Sequence, residues 1–179
     1  MISFLYPFLI LATSANLSFG QPPTMIPVGE EFKVPISLSS GGRETIGTDA
    51  VLLFDPKILS ATKIEKGKIY PNYPPNLEDI DNVHGKVSFS GTVGFGLPKT
   101  VEGLFGEVFF RSKKPGTTQI SFAWEGEGTA DSNIVPSFGS LDLLTEKPEK
   151  INLVFREASL GEKILAWIKR IFSFDYLRF

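Results

Sequence analysis

The chain has 179 residues, with 18 Lys and Arg against 20 Asp and Glu, one His and no Cys. The missing Cys excludes disulfide scaffolds, cysteine-based zinc sites and thiol nucleophiles, and a net charge of −2 argues against a broad polybasic surface for nucleic acid. A hydrophobic content of 42% is enough for a core, and 13 Pro, 17 Gly and 16 Phe favour strands and turns over a helical bundle.

The N-terminal residues 2–12, ISFLYPFLILA, form an uncharged apolar run. It is too short to span a membrane, which takes about 20 residues. Ser18 and Gly20 place small side chains at the two positions that a signal peptidase reads, and Thr13 and Ala15 are a second option. The pattern predicts a secretory signal peptide over residues 1–20, with a buried N-terminal strand as the alternative.

Residues 21–159 show a hydrophobic pattern whose dominant period is two. Strict alternation places one side of a strand on a core and the other in water, which is typical of antiparallel sheets. Turn residues such as Pro115 and Gly116 separate the runs, and no segment of helical period precedes residue 160. Many short strands without crossover helices favour a β-sandwich. The alternating apolar positions are Phe32, Val34, Ile36, Leu38, Val87, Phe89, Ile120, Phe122, Trp124, Ile151, Leu153 and Phe155.

Two groups of aromatic residues are candidates for stacking on the face of a sugar ring. Tyr70 and Tyr73 lie at the start of a Pro-rich, acidic stretch that is expected to be a long surface loop. In the run that follows Gly103, alternation places Leu104 and every second residue after it inside, so that Phe105 and Phe109 point outwards. Each group has a structural alternative, which is packing within the loop or under a second layer.

Other chemistry is sparse in this sequence. The acidic loop around residues 78–81 lacks the spaced ligands and turn glycine of an EF-hand calcium loop. The acidic loop over residues 125–131 contains Gly126 and Gly128, and it is likewise interpreted as a solvated loop. His84 precedes Gly85 and is interpreted as a turn residue. We therefore expect no catalytic residue, no metal site and no cofactor.

Residues 160–172, LGEKILAWIKRIF, have the spacing of an amphipathic helix with basic residues off the centre of its apolar face. Such a helix, with Trp167 and further aromatic residues later in the sequence, is typical of a membrane interface. Docking on the domain or on another subunit is the alternative.

The order of the motifs between residues 26 and 156 resembles the cohesin domain, the dockerin-binding module of cellulosomal scaffolds. The most family-like segment is an apolar strand that runs into Phe54-Asp55-Pro56 and then Leu59. The matching segments are Val28–Phe32, Gly47–Leu59, Gly85–Gly91, Gly103–Phe110, Lys114–Ile120 and Ala130–Val135.

The resemblance implies a secreted, non-catalytic, all-β jelly-roll sandwich of about nine antiparallel strands. With the C-terminal helix, the expected organisation is a signal peptide over residues 1–20, a sandwich over 21–159 and an amphipathic tail over 160–179. Carbohydrate-binding modules share this fold, so the fold alone does not choose the ligand.

The resemblance also implies a partner-binding face of Asp49, Ser88, Ser90, Thr92 and Ile134, in which Asp49 matches a position that hydrogen-bonds the dockerin. The three hydroxyls stand where dockerin binders tend to be apolar. The predicted function is that of an extracellular module that binds a dockerin-like protein. The alternatives are a polysaccharide-binding module with Tyr70 and Tyr73, or a display module held at the membrane by its tail.

Overall fold

A computed structural model describes residues 14–23, 25–126 and 131–174. The described residues contain strands, one short 3-10 helix, Pro75–Leu77, and one α-helix. The strands and the α-helix are β1 (Asn16–Phe19), β2 (Ile26–Pro27), β3 (Glu31–Ser39), β4 (Thr45–Phe54), β5 (Leu59–Lys66), β6 (Asp79–Asp81), β7 (Lys86–Thr92), β8 (Glu102–Ser112), β9 (Gly116–Phe122), β10 (Asn133–Pro136), β11 (Ile151–Arg156) and α1 (Leu160–Phe174).

The strands form two sheets that enclose one core. The smaller sheet has the order β1-β3-β8-β5, and the larger has the order β2-β11-β9-β4-β7-β6. Strand β10 also pairs with β4, next to the part of β4 that pairs with β9. The predicted antiparallel sandwich with a C-terminal helix is confirmed, with short strands such as β2 and β6 raising the count above the expected number. Only β2 and β11 pair in parallel among the described strands.

The core is built from the alternating residues that the sequence pattern singled out. Those of β3 and β7 are all buried, while Trp124, which follows β9, and Ile151, the first residue of β11, are half-buried. Burial of each large aliphatic or aromatic side chain contributes about 1.5–3 kcal/mol, which is why the alternation holds so strictly here. The residues between them, such as Lys33 and Ser88, face outwards.

A β-bulge in β8 reverses the alternation at Phe105. Ile36 of β3 pairs with Gly106 and Ser37 pairs with Leu104, so Phe105 is an extra residue on the bulged strand. Phe105 is consequently 0% exposed and Leu104 is 42% exposed. The prediction that placed Leu104 inside and Phe105 outside is therefore wrong.

The sandwich begins earlier than the sequence pattern indicated. Strand β1 pairs with β3, Leu17 is buried, and the ring of Phe19 stacks on Phe122 at 4.2 Å between centroids. Residues 16–19, which were assigned to the signal peptide, thus belong to the smaller sheet. Residues 1–13 lie outside the described residues, and the signal peptide itself stays a prediction.

The Pro-rich stretch after Tyr70 is more ordered than a plain surface loop. It contains the 3-10 helix and then β6, which pairs with β7 at the edge of the larger sheet. The Asn82 side chain both accepts from the Ala61 amide and donates to the Ala61 carbonyl, each at 2.8 Å. Ala61 belongs to β5 of the smaller sheet, and Asn82 directly follows β6 of the larger sheet, so this pair of hydrogen bonds connects the two sheets.

Candidate functional site

The outer surface of the larger sheet carries a row of hydroxyl groups on β7. Val87, Phe89 and Gly91 point into the core, so the residues between them point outwards. These are Ser88, Ser90 and Thr92, each partly exposed. The structure therefore brings the three predicted hydroxyls together on one outward face.

Asp49 lies at the centre of this surface, between β7 and β10. It pairs with Ser90 on one side and with Asn133 on the other. The Ser90 hydroxyl donates to Asp49 Oδ1, and Asn133 Nδ2 donates to Asp49 Oδ2 at 3.0 Å. The neighbours thus hold the carboxylate in one orientation, while each of its oxygens keeps acceptor capacity for a further donor. We call Asp49, Ser88, Ser90, Thr92 and Asn133 the polar face.

Ile134 does not belong to the polar face, so this predicted contact is wrong. It is 0% exposed because β10 pairs with β4 and turns this side chain into the core. The residues on either side of it, Asn133 and Val135, lie on the outer side of the sheet, where Val135 is 36% exposed and Asn133, at 7%, is largely covered but hydrogen-bonds Asp49. The sequence pattern missed Asn133 because the segment was interpreted as a loop, whereas strand alternation around a buried Ile134 would have pointed to it.

Two loops with exposed apolar side chains border the polar face at the end where β4 begins. The loop after β7 is fixed there by two backbone hydrogen bonds between Thr45 and Lys99, of 2.9 and 3.1 Å. The segment after β10 is fixed by the amide of Ser137, which donates to the Glu44 carbonyl at 3.0 Å. The strongly exposed side chains of these loops, which we call the apolar rim, are Phe95, Leu97, Phe138 and Leu141.

The tyrosines proposed for sugar stacking lie mostly inside the molecule. Tyr70 is 3% exposed, and its hydroxyl lies 2.9 Å from that of Thr48. Tyr73 is half-buried, with the rings of Tyr70 and Phe105 beside it. Burial raises the pKa of Tyr70 and raises the pKa of Tyr73 to about 12. Tyr70 therefore offers no ring face to a sugar, and the expectation of stacking on it is wrong.

The outward aromatic platform on β8 is also missing from this structure. Phe105 is in the core, stacked on Phe89 at 4.9 Å between ring centroids. Phe109 is half-buried, and the Lys63 ammonium lies over its ring at 5.4 Å from the centroid. A cation in that position occupies the ring face that a sugar would need.

Acidic groups do not gather into a metal site in the part of the chain that the structure describes, since no three His, Asp or Glu side chains there could hold an ion. His84 lies in the turn between β6 and β7. Its ring nitrogen Nδ1 is 2.5 Å from Asp81 Oδ2, and its amide donates to Asp81 Oδ1 at 2.9 Å. These hydrogen bonds lower the pKa of Asp81. They agree with the interpretation of His84 as a turn residue.

Comparison with known proteins points to one family. The family model described as "Cohesin domain" matches residues 16–140. The chain shares 15% identity and a TM-score of 0.60 with a chain from a type I cohesin–dockerin complex of Clostridium thermocellum, covering 80% of this chain and 100% of that one. A type II cohesin domain from Acetivibrio cellulolyticus gives 16% identity and a TM-score of 0.61, covering 79% and 95%.

A third similar structure is the cohesin module of a family 33 glycoside hydrolase from Clostridium perfringens. It has 11% identity and a TM-score of 0.58, and the match covers 82% of this chain and 99% of that one. At such identities the likeness shows the fold. No curated protein sequence matches the chain.

Proposed function

The chain belongs to the cohesin family, and from this premise we propose that it is a non-catalytic module that binds a dockerin-like protein through the polar face. The single observation that carries the proposal is the Asp49 carboxylate, which Ser90 and Asn133 hold at the centre of an outward sheet surface. A carboxylate fixed in advance loses little side-chain freedom when a partner donates to it.

The apolar rim supplies the exposed apolar side chains that the hydroxyl groups of β7 lack. Protein interfaces draw most of their affinity from buried aromatic and aliphatic anchors. Ser88, Ser90 and Thr92 offer none, but Phe95 and Phe138 stand almost fully exposed at the end of the face. We therefore expect the partner to present hydrogen-bond donors to Asp49 and an apolar patch to the rim.

The test is calorimetric titration of the protein with a panel of dockerin modules. Asp49→Asn keeps the shape of the side chain and removes its charge. Loss of one hydrogen bond to a charged group is worth about 1.5–3 kcal/mol, so we expect the dissociation constant to rise roughly 10- to 100-fold. The matched control is Gln119→Ala, an exposed side chain of β9 on the same sheet.

Two results of this titration would contradict the proposal. The first is an Asp49→Asn variant that binds as tightly as the parent protein. The second is an equal loss of affinity in Gln119→Ala, which would mean that binding does not centre on Asp49. A protein that binds no dockerin module would refute the choice of partner.

We also propose that the protein is secreted or held at the cell surface. The support is the apolar N-terminal run followed by small residues. Of the two expected cleavage positions, the one after Ala15 leaves β1 in the sheet, whereas the one after Gly20 removes it. N-terminal sequencing of the exported protein should start at Asn16. A mature chain that starts at Gln21 would contradict this cleavage position, and a chain that stays inside the cell would contradict secretion.

A further inference from the structure

Helix α1 follows closely after β11, and side-chain hydrogen bonds fix its first turn. The Glu162 carboxylate accepts from the Ser159 amide at 2.7 Å, and the Glu162 amide donates to the Ser159 hydroxyl at 3.3 Å, which is a capping box. Two further bonds, of 2.8 and 2.6 Å, run from the Arg156 guanidinium to the same carboxylate. The one acidic side chain in the sequence of α1 is thus neutralised by the strand that precedes it.

The described apolar side chains of α1 are not covered by the sandwich. At 100° per residue its apolar residues share one half of the helix surface. Their exposed fractions run from 37% for Ile168 to 75% for Leu160, with Trp167 at 64%. This half of the helix carries Leu160, Ile164, Leu165, Trp167 and Ile168. These described side chains do not dock on the sandwich, which was one of the alternatives for this helix.

The charge of the tail is opposite to that of the rest of the chain. Residues 160–179 contain four basic and two acidic residues, whereas residues 1–159 contain 14 basic and 18 acidic ones. Within α1 the basic residues Lys163, Lys169 and Arg170 fall on the half opposite the apolar side. An anionic surface would attract this helix and repel the sandwich.

We propose that α1 is a membrane-surface anchor, which lies in the headgroup region of an anionic bilayer with its apolar half in the lipid. Fifteen residues give a helix of about 22 Å, which is shorter than the hydrocarbon core of about 30 Å. No helix in the described ranges is long and apolar enough to cross a membrane. The lipid binding is independent of the partner binding proposed above.

Trp167 provides a local signal for the test. Residues 2–12 are also apolar and could hold the full chain on vesicles, so total binding is not specific to α1. The chain has two Trp, and Trp124→Phe leaves Trp167 as the sole Trp. We expect its fluorescence to shift to the blue when vesicles of phosphatidylcholine and phosphatidylglycerol are added. The shift should be weaker with phosphatidylcholine alone.

Variants in the same background separate lipid binding from other causes. Ile164→Asp with Ile168→Asp removes two aliphatic side chains that the lipid would bury, and should weaken vesicle binding at least about 100-fold. Leu77→Asp with Val83→Asp makes the same charge change at two exposed aliphatic positions of the sandwich, and should leave binding unchanged. Lys163→Gln with Lys169→Gln should weaken binding to the anionic vesicles roughly 30-fold.

The proposal is overturned if Trp167 shows no spectral change with anionic vesicles, or if the variant with Ile164→Asp and Ile168→Asp responds as the parent does. Light scattering shows whether the chain forms a dimer. If the parent is a dimer, the variant with Ile164→Asp and Ile168→Asp is a monomer, and vesicles do not change the Trp167 signal, then the apolar half binds a second copy of the chain and the proposal is overturned. The strand signal in circular dichroism shows whether each variant keeps its sandwich.

Discussion

Truncation of Phe105 to Ala tests the β8 bulge that places the aromatic cluster beneath the polar face. The ring is fully buried, stacked on Phe89 at 4.9 Å and 5.7 Å from the ring of Tyr73 between centroids. Truncation of a buried Phe costs about 3–5 kcal/mol, and the loss of the aromatic neighbours places this site in the upper part of that range. We therefore expect Phe105→Ala to lower the free energy of unfolding by about 4–5 kcal/mol.

The matched control is the preceding residue, Leu104, which the bulge turns outwards. Leu104 is 42% exposed, so Leu104→Ala should lower the free energy of unfolding by about 1 kcal/mol or less. Urea-induced unfolding of both variants measures the two costs. A larger loss in Leu104→Ala than in Phe105→Ala would refute the bulge and restore the simple alternation.

Two further predictions concern the packing under the polar face and the start of α1. In Gly91→Ala the new Cβ would come within 2.6 Å of the Tyr70 ring and 2.8 Å of the Phe105 ring, so we expect the free energy of unfolding in urea to fall by about 1–3 kcal/mol. The control is Gly161→Ala, whose Cβ meets open space and which should lose no stability. Equal stabilities of the two variants would contradict the packing. The Arg156 and Ser159 contacts lower the pKa of Glu162 from 4.5 to about 2, so its support for the helix is present above about pH 4.5 and lost as pH falls through about 2. Helical circular dichroism should fall over that window, and a Glu162→Gln variant with the same acid profile would contradict this origin.

Regular strands are the part of the fold that the sequence predicts well. In β3 the apolar residues recur at every second position from Phe32 to Leu38, and each is buried. Phe105 breaks the pattern because a bulge depends on the register with β3, which no local pattern shows. Strand β1 was missed for a related reason, since a short apolar segment near a chain start has the same composition as the end of a signal peptide.

The polar face could be predicted only in part. The outward position of Ser90 follows from alternation along β7, and Asp49 was found through the family resemblance. Ile134 was misplaced and Asn133 was missed because both depend on the pairing of β10 with β4, between residues far apart in the chain. The burial of Tyr70 likewise comes from contacts with Thr48 and Phe105 on other strands.

The most direct test of partner binding is backbone NMR of the isotope-labelled protein during titration with a dockerin module that it binds. The account predicts that the largest shift changes occur at Asp49, Asn133 and residues 88–92, with further changes at the apolar rim. Largest changes on β3, β5 or β8 of the smaller sheet, with an undisturbed polar face, would contradict it.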